Sequence, residues 1–187
     1  MLDYKFAFVA CCFILALFSR VKCISEKDWG LLSCGLFFTL CADYFLVLRN
    51  EHLAGVAVFC FVHVFYILRA RHALICKRWG LFFGIAAVIW VGALAAGSVV
   101  GMAGLYACLF AVNLYVNAKA RRWLITAGLA LFALCDISVG LYNLSHYLDV
   151  TQYFSGAFMF IWIFYIPALG ILAVSALDFS GTTNSVS

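Results

Sequence analysis

The chain has 187 residues, of which 67% are hydrophobic and 11% are charged, and its formal net charge is +4. A soluble domain carries about 25% charged residues, so this composition excludes one and indicates a polytopic membrane protein. The basic residues form short clusters between apolar segments, with no basic stripe, so the positive charge indicates membrane topology and no nucleic-acid partner.

Seven segments of the chain are candidate membrane spans, because a spanning helix needs about 20 apolar residues. They are residues 4–19, 29–48, 53–69, 79–96, 98–117, 122–142 and 154–177. The first resembles a signal peptide, but Arg20, Val21 and Lys22 follow it in place of a small-residue cleavage site, so we interpret it as a retained span. Glycines and a serine between the fourth and fifth segments indicate a hairpin turn. The sequence therefore predicts an all-α membrane helical bundle that forms a single transmembrane domain over residues 1–187.

The loops between these segments differ in charge. The first, third and fifth loops contain Arg20, Lys22 and Lys27, then Arg69, Arg71, Lys77 and Arg78, then Lys119, Arg121 and Arg122. Cytoplasmic loops of membrane proteins carry an excess of Lys and Arg, so these three loops are expected in the cytoplasm. The charge pattern predicts a multi-pass protein of the cell membrane with its N-terminus outside and its C-terminus in the cytoplasm.

Asp43 and Asp136 are the only acidic residues inside the long apolar segments, and no Lys or Arg accompanies them in the interior of those segments. A charge at membrane depth costs about 2.5–3.5 kcal/mol even on insertion scales, so it faces a bundle interior or a wet cavity and usually has a function. The two aspartates occur in similar sequence segments, FFTLCADYFLVL and LFALCDISVGLY. Under the predicted topology, both helices run from the cytoplasmic side to the outside. One interpretation is a parallel 3+1+3 helical repeat with sites between the repeats. The other is coincidence, since the match is short.

Other polar side chains share a helix face with these aspartates or lie on a neighbouring helix. Thr39 lies one turn before the first aspartate, and Asn143 lies seven residues after the second. His63 and Tyr66 are three residues apart on one face of the third helix. They either line the same cavity as the aspartates or are packing groups satisfied by their neighbours.

The later helices contain two further polar features. Asn113 and Asn117 are four residues apart, and we interpret them as interhelical hydrogen-bonding groups. Pro167 lies inside the seventh helix and should kink it, because it cannot donate to the carbonyl of Ile163. Tyr165 beside it has a hydroxyl that needs a partner, which makes it a candidate site residue.

Several chemistries lack the residues that they require. Most of the nine cysteines lie in apolar segments without metal-ligand spacing, so the sequence predicts small buried hydrophobes and no metal. A histidine-based metal hydrolase would need clustered intramembrane histidines, and retinal binding would need a lysine in the last helix. The G-x-S-x-G elbow of serine hydrolases is also missing.

Three sets of residues carry a resemblance to a known family. They are GLFFTLCADYFL at Gly35–Leu46; the spaced residues Gly55, Phe59, His63 and Tyr66; and LFALCD at Leu131–Asp136, followed by Tyr165 and Ala168. In order and spacing they resemble the signatures of the lysoplasmalogenase-like (YhhN) family of integral membrane hydrolases. Members of that family are described with about eight spans, which makes eight the alternative to seven here.

The resemblance implies hydrolysis of the vinyl ether bond of lysoplasmalogens to a fatty aldehyde and glycerophosphoethanolamine or glycerophosphocholine. It implies that Asp43 and Asp136 are the acid and base pair, without a metal or another cofactor. His63 and Tyr66 would orient the aspartates or the water, and the other residues predicted to bind or orient the substrate are Tyr165, Asn143 and Thr39. The expected partners are a lysophospholipid substrate and the lipid bilayer.

Two other functions fit the same residues. One is a small proton-coupled transporter with 3+1+3 helical repeats, in which the aspartates carry protons or bind the substrate. The other is a binding or assembly protein in which the aspartates only join helices.

Overall fold

The computed structural model of the protein describes residues 2–23, 25–70, 79–147 and 157–177. Seven α-helices lie in this part of the chain: α1 (Leu2–Phe18), α2 (Glu26–Asp43), α3 (His52–Ala70), α4 (Trp79–Ala95), α5 (Val99–Lys119), α6 (Trp123–Tyr147) and α7 (Ala157–Val174). A 3₁₀ turn, Ser19–Lys22, follows α1, and a π-helical segment, Tyr44–Leu48, continues α2. The described residues contain no β-strand, so the predicted all-α fold is confirmed there.

Each predicted span overlaps one of these helices, but the helices differ in length. Four are long and apolar enough to cross a membrane, and they cover Glu26–Leu48, His52–Ala70, Val99–Lys119 and Trp123–Tyr142. Three further apolar segments are shorter, namely Phe6–Val21, Trp79–Ala95 and Met159–Val174. The apolar helices indicate a membrane protein built as a helical bundle.

The helices pack in a ring that leaves α4 outside. α2 packs between α1 and α3, α3 packs on α5, α5 packs on α6, and α6 packs on α7, which returns to α1. α4 contacts mainly α5, and Ala93 is its one buried residue, while Leu81, Val88 and Val91 on its surface are exposed. Such an apolar outer surface is what a helix facing lipid requires.

A partly buried ion-pair cluster joins the ends of four helices at the end of the bundle that carries the basic residues, hereafter the basic end. The carboxylate of Asp28 accepts from Nη2 of Arg69 at 2.6 Å and from Nη2 of Arg122 at 2.6 Å. Arg69 also donates to the hydroxyl of Ser175 at 3.0 Å, and Arg122 donates to the carbonyl of Arg69 at 2.7 Å. The sequence pattern placed both arginines at the loop ends of their predicted spans, 53–69 and 122–142. In the structure Arg69 belongs to α3 and is buried, because Asp28 lies opposite it on α2.

Two glycines allow neighbouring helices to approach closely. A Cβ on Gly128 of α6 would lie 2.9 Å from Cγ of Leu172 and 3.3 Å from the carbonyl oxygen of Ala168, both on α7. A Cβ on Gly55 of α3 would meet the side chain of Leu46 still more closely. Small residues at such contacts are the usual means by which membrane helices pack tightly.

The cysteines correct one sequence expectation. Cys12, Cys60 and Cys135 are buried, as small hydrophobes should be, but Cys11 and Cys34 are exposed on the outside of the bundle. Hydropathy identifies a residue at membrane depth and does not decide whether it faces lipid or protein. The prediction of buried cysteines is therefore wrong for the exposed ones.

Candidate functional site

Asp43 is the last α-helical residue of α2 and is buried inside the bundle, with 5% of its surface exposed. Its Oδ2 accepts a short hydrogen bond from the hydroxyl of Tyr165 on α7. The π-helical segment Tyr44–Leu48 begins at the next residue, and the N–H of Arg49 donates to the carbonyl of Tyr44 at 3.1 Å. Single π turns inside α-helices occur often at functional sites, because they change the direction of the side chains around them.

Asp136 lies in α6, is half-buried, and also binds a tyrosine. The hydroxyl of Tyr106 on α5 donates to its Oδ2 at 2.5 Å. Sequence reasoning did not identify Tyr106. A signal was present, because Tyr106, Asn113 and Asn117 follow one another at spacings of seven and four and so share one face of α5.

His63 is buried in α3 and is held by an amide relay from α5. Nδ2 of Asn117 donates to the backbone carbonyl and to Oδ1 of Asn113, at 2.9 and 2.8 Å. Nδ2 of Asn113 lies 3.1 Å from Nδ1 of His63. The expected interhelical role therefore applies to Asn113, whereas both of these bonds of Asn117 lie within α5. The rings of Tyr106 and Phe110 pack against the imidazole, with centroids 4.8 and 4.7 Å away.

Tyr66 lies one turn after His63 and is also buried. Its ring packs against Gly35 of α2, where an added Cβ would lie 3.2 Å from Cε2, and the guanidinium of Arg69 stands 5.5 Å from the ring centroid. Neither the hydroxyl of Tyr66 nor Nε2 of His63 has a hydrogen-bond partner among the described residues. Buried polar atoms normally have one, so these two atoms need an explanation.

An aromatic layer connects the two aspartate–tyrosine pairs. The ring of Phe59 lies 6.1 Å from the ring of Tyr106 and 5.9 Å from that of Phe132. The ring of Phe132 in turn lies 5.6 Å from that of Tyr165. The two aspartate–tyrosine pairs therefore border one aromatic region of the bundle, and each aspartate is held by its own tyrosine.

Three of the other predicted site residues, Thr39, His63 and Tyr66, lie on the side of this region toward the basic end. Thr39 is buried, one turn before Asp43, and its hydroxyl donates to the carbonyl of Gly35 at 3.0 Å. Thr39, His63 and Tyr66 line one small cavity together. Asn143 belongs to α6, and its side chain lies outside the described part of the structure.

The described residues contain no group of three or more His, Cys, Asp or Glu side chains that could hold a metal ion. The chemistry that this region can support comes from two carboxyls, two phenols and an imidazole in an apolar bundle. Such groups can transfer protons and stabilise a positive charge.

No protein-family model, no curated protein and no solved structure matches the chain. The resemblance to the lysoplasmalogenase-like family thus rests on the sequence motifs alone and stays a prediction.

Proposed function

We propose that the protein is an integral membrane hydrolase that cleaves the vinyl ether bond of a lysoplasmalogen, with Asp43 and Asp136 as the acid and base pair. One observation carries the proposal: each aspartate lies within the helical bundle and accepts a hydrogen bond from a tyrosine hydroxyl. A single buried carboxyl with one hydrogen-bond partner is compatible with a purely structural role. Two such pairs connected by one aromatic layer are a costly arrangement, and buried acids in membranes are usually functional.

The reaction requires a proton donor and a carboxylate in the same site. Burial and repulsion between two like charges favour one protonated carboxyl beside one carboxylate. The acid gives its proton to the alkenyl carbon remote from the ether oxygen, and the cation that forms is shared between the other carbon and the oxygen. The carboxylate stabilises this cation and takes a proton from the attacking water, as paired carboxylates do in glycoside hydrolysis.

The products follow from the collapse of the adduct. Water adds to the cation, which gives a hemiacetal and leaves one proton of the water on the second carboxyl. That carboxyl then protonates the glycerol oxygen as its bond to the hemiacetal carbon breaks, and the first carboxylate takes the proton of the hemiacetal hydroxyl. The fatty aldehyde and a glycerophosphodiester are released, and both carboxyl groups return to their starting protonation states. Water is the only co-reactant, and neither a metal nor a redox partner is required.

The roles of the neighbouring residues follow from their contacts. Tyr165 and Tyr106 hold one oxygen of each aspartate and so orient the two carboxyl groups. The apolar side chains between the helices would accommodate the hydrocarbon chain of the substrate, and the bilayer would deliver it. With the basic end in the cytoplasm, as the charge pattern predicts for a protein of the cell membrane, both aspartates lie in the outer halves of their helices.

The test measures release of a long-chain aldehyde from a lysoplasmalogen by the purified protein in lipid nanodiscs. Asp43→Asn and Asp136→Asn should each abolish the release, because Asn can neither donate a proton to carbon nor carry a negative charge. Glu51→Gln is the matched control, since Glu51 is an exposed carboxylate at the bundle surface. Full aldehyde release by either aspartate variant would refute the proposal, provided that its circular dichroism spectrum and melting temperature match the wild type.

A transporter is the second candidate, and the packing of the helices favours it. The triplets α1–α3 and α5–α7 have corresponding contacts, with the second and third helices of each triplet packed together and α4 outside the ring. This arrangement fits a 3+1+3 repeat with the aspartates on corresponding helices. Uptake of a lysolipid by reconstituted vesicles without chemical change would favour this function. Retained function in an Asp43→Asn, Asp136→Asn double variant would instead favour a binding or assembly protein.

A further inference from the structure

The cavity between α2, α3, α6 and α7 is small and mostly apolar. It is lined by Thr39, Val62, His63, Tyr66, Leu129, Phe132, Leu169 and Leu172, and its volume is about 10 Å³. A water molecule needs roughly 10–15 Å³ of cavity volume, together with two to four polar partners. The cavity is too small for an organic ligand, so its polar lining determines what it can hold.

Three polar side chains face this cavity. Nε2 of His63 and the hydroxyl of Tyr66 are buried without a hydrogen-bond partner among the described residues. The hydroxyl of Thr39 uses its hydrogen in the bond to Gly35 and keeps lone pairs that can accept another hydrogen bond. A molecule placed among them would meet two donors and at least one acceptor.

The amide relay on α5 determines which nitrogen of His63 carries the proton. The nitrogen of the Asn117 side chain faces two acceptors on Asn113, so it is the NH₂ group, and the atom opposite it on Asn113 is the carbonyl oxygen. The amide nitrogen of Asn113 must then face Nδ1 of His63, which accepts. A neutral imidazole with Nδ1 as acceptor has its proton on Nε2 and donates from that nitrogen.

We propose that this cavity is a binding site for one internal water molecule. The water accepts a hydrogen bond from Nε2–H of His63, donates one to the hydroxyl oxygen of Thr39, and shares one with the hydroxyl of Tyr66. These bonds satisfy the two buried atoms of the cavity lining that have no hydrogen-bond partner among the described residues, in a volume that admits a single water.

The site has a defined position relative to the aspartates. Thr39 and Phe132 line the cavity and lie four residues before Asp43 and Asp136, while Leu169 lies four residues after Tyr165 on a helix of opposite direction. The water site therefore lies about four residues, or about 6 Å along the helix axes, toward the basic end from the aspartates. A water held there would lie close to the region where the proposed hydrolysis consumes water. The site itself does not depend on that activity.

The experiment is ¹⁵N NMR of histidine-labelled protein in lipid nanodiscs, with the His63 signals assigned by their absence in His63→Phe. The wild type should have a protonated Nε2 and a bare Nδ1, and magnetisation should pass from water to the Nε2 proton. A double variant, Tyr66→Phe with Thr39→Val, leaves His63 as the one polar group in the cavity. One partner does not hold a water in an apolar site, so the transfer should be lost.

Tyr115→Phe is the matched control, because the Tyr115 side chain is exposed on the outside of α5 and its hydroxyl is remote from the cavity. It should keep the transfer at the wild-type level. A proton on Nδ1, absence of transfer in the wild type, or equal transfer in the double variant would each overturn the proposal. None of these readouts uses aldehyde release, so a failure of the water site is distinguishable from a failure of the proposed hydrolase.

Discussion

Substitution of Asp28 by Asn should destabilise the bundle more than any other single change of charge at the basic end. The Asp28 carboxylate accepts from Nε of Arg69 at 3.2 Å, from Nη2 of Arg69 at 2.6 Å and from Nη2 of Arg122 at 2.6 Å. The side chain of Arg69 has no exposed surface, and that of Arg122 is 26% exposed. Asn would leave the Arg69 guanidinium buried without a counter-charge.

The expected cost is about 3–5 kcal/mol, as when one partner of a buried ion pair is removed. For a chain of this length that corresponds to a fall in melting temperature of about 6–20 °C. The assay is thermal unfolding in detergent micelles, with the aggregation of the unfolded protein as the monitored signal. The Arg49–Glu51 pair supplies the control, because its atoms are 3.7 Å apart and both side chains are about half exposed. Glu51→Gln should leave the melting temperature almost unchanged.

A double variant tests whether the loss of charge compensation causes the destabilisation. Asp28→Asn with Arg69→Leu removes the buried guanidinium together with its partner, and an apolar side chain of similar size tolerates burial. The double variant should therefore be more stable than Asp28→Asn alone, although it has lost more hydrogen bonds. The cluster does not hold the basic end together by charge compensation if the double variant is less stable than Asp28→Asn alone. The same conclusion follows if Asp28→Asn has the melting temperature of the wild type.

Three other predictions concern the helix contacts and the site. Gly128→Ala should lower stability by about 1–3 kcal/mol through overpacking, whereas Gly104→Ala, with nothing within 4 Å of its Cβ, should not; equal melting temperatures would contradict this. Tyr165→Phe and Tyr106→Phe each remove a hydrogen bond to a carboxyl of the pair, worth about 1.5–3 kcal/mol at the charged carboxylate and about 0.5–1.5 kcal/mol at the protonated one. Aldehyde release should therefore fall about 10- to 150-fold in one variant and about 2- to 13-fold in the other, and wild-type rates would count against the proposed orientation of the aspartates. Asn113→Leu should convert His63 to mixed tautomers in ¹⁵N NMR, and an unchanged imidazole spectrum would disprove the amide relay.

The sequence predicted the helices well because membrane spans are a local property. Residues 29–48 and 53–69 are apolar over about the length that a bilayer demands, and the structure has helices over Glu26–Leu48 and His52–Ala70. The prominence of Asp43 and Asp136 was equally local, because an acidic residue in an apolar segment is visible without any knowledge of its neighbours. The face shared by His63 and Tyr66 followed from helical spacing alone.

The tertiary structure decided which residues meet. Tyr165 reaches Asp43 across 122 positions of the chain, and Arg122 reaches Asp28 across 94. No local pattern encodes such pairings, because they depend on which helices become neighbours and on the rotation of each about its axis. The same reason explains why Tyr106 escaped notice and why some cysteines face outward. The sequence by itself determined that this is a helical membrane protein with two acids at depth, whereas only packing determined that each acid is held by a tyrosine from another helix.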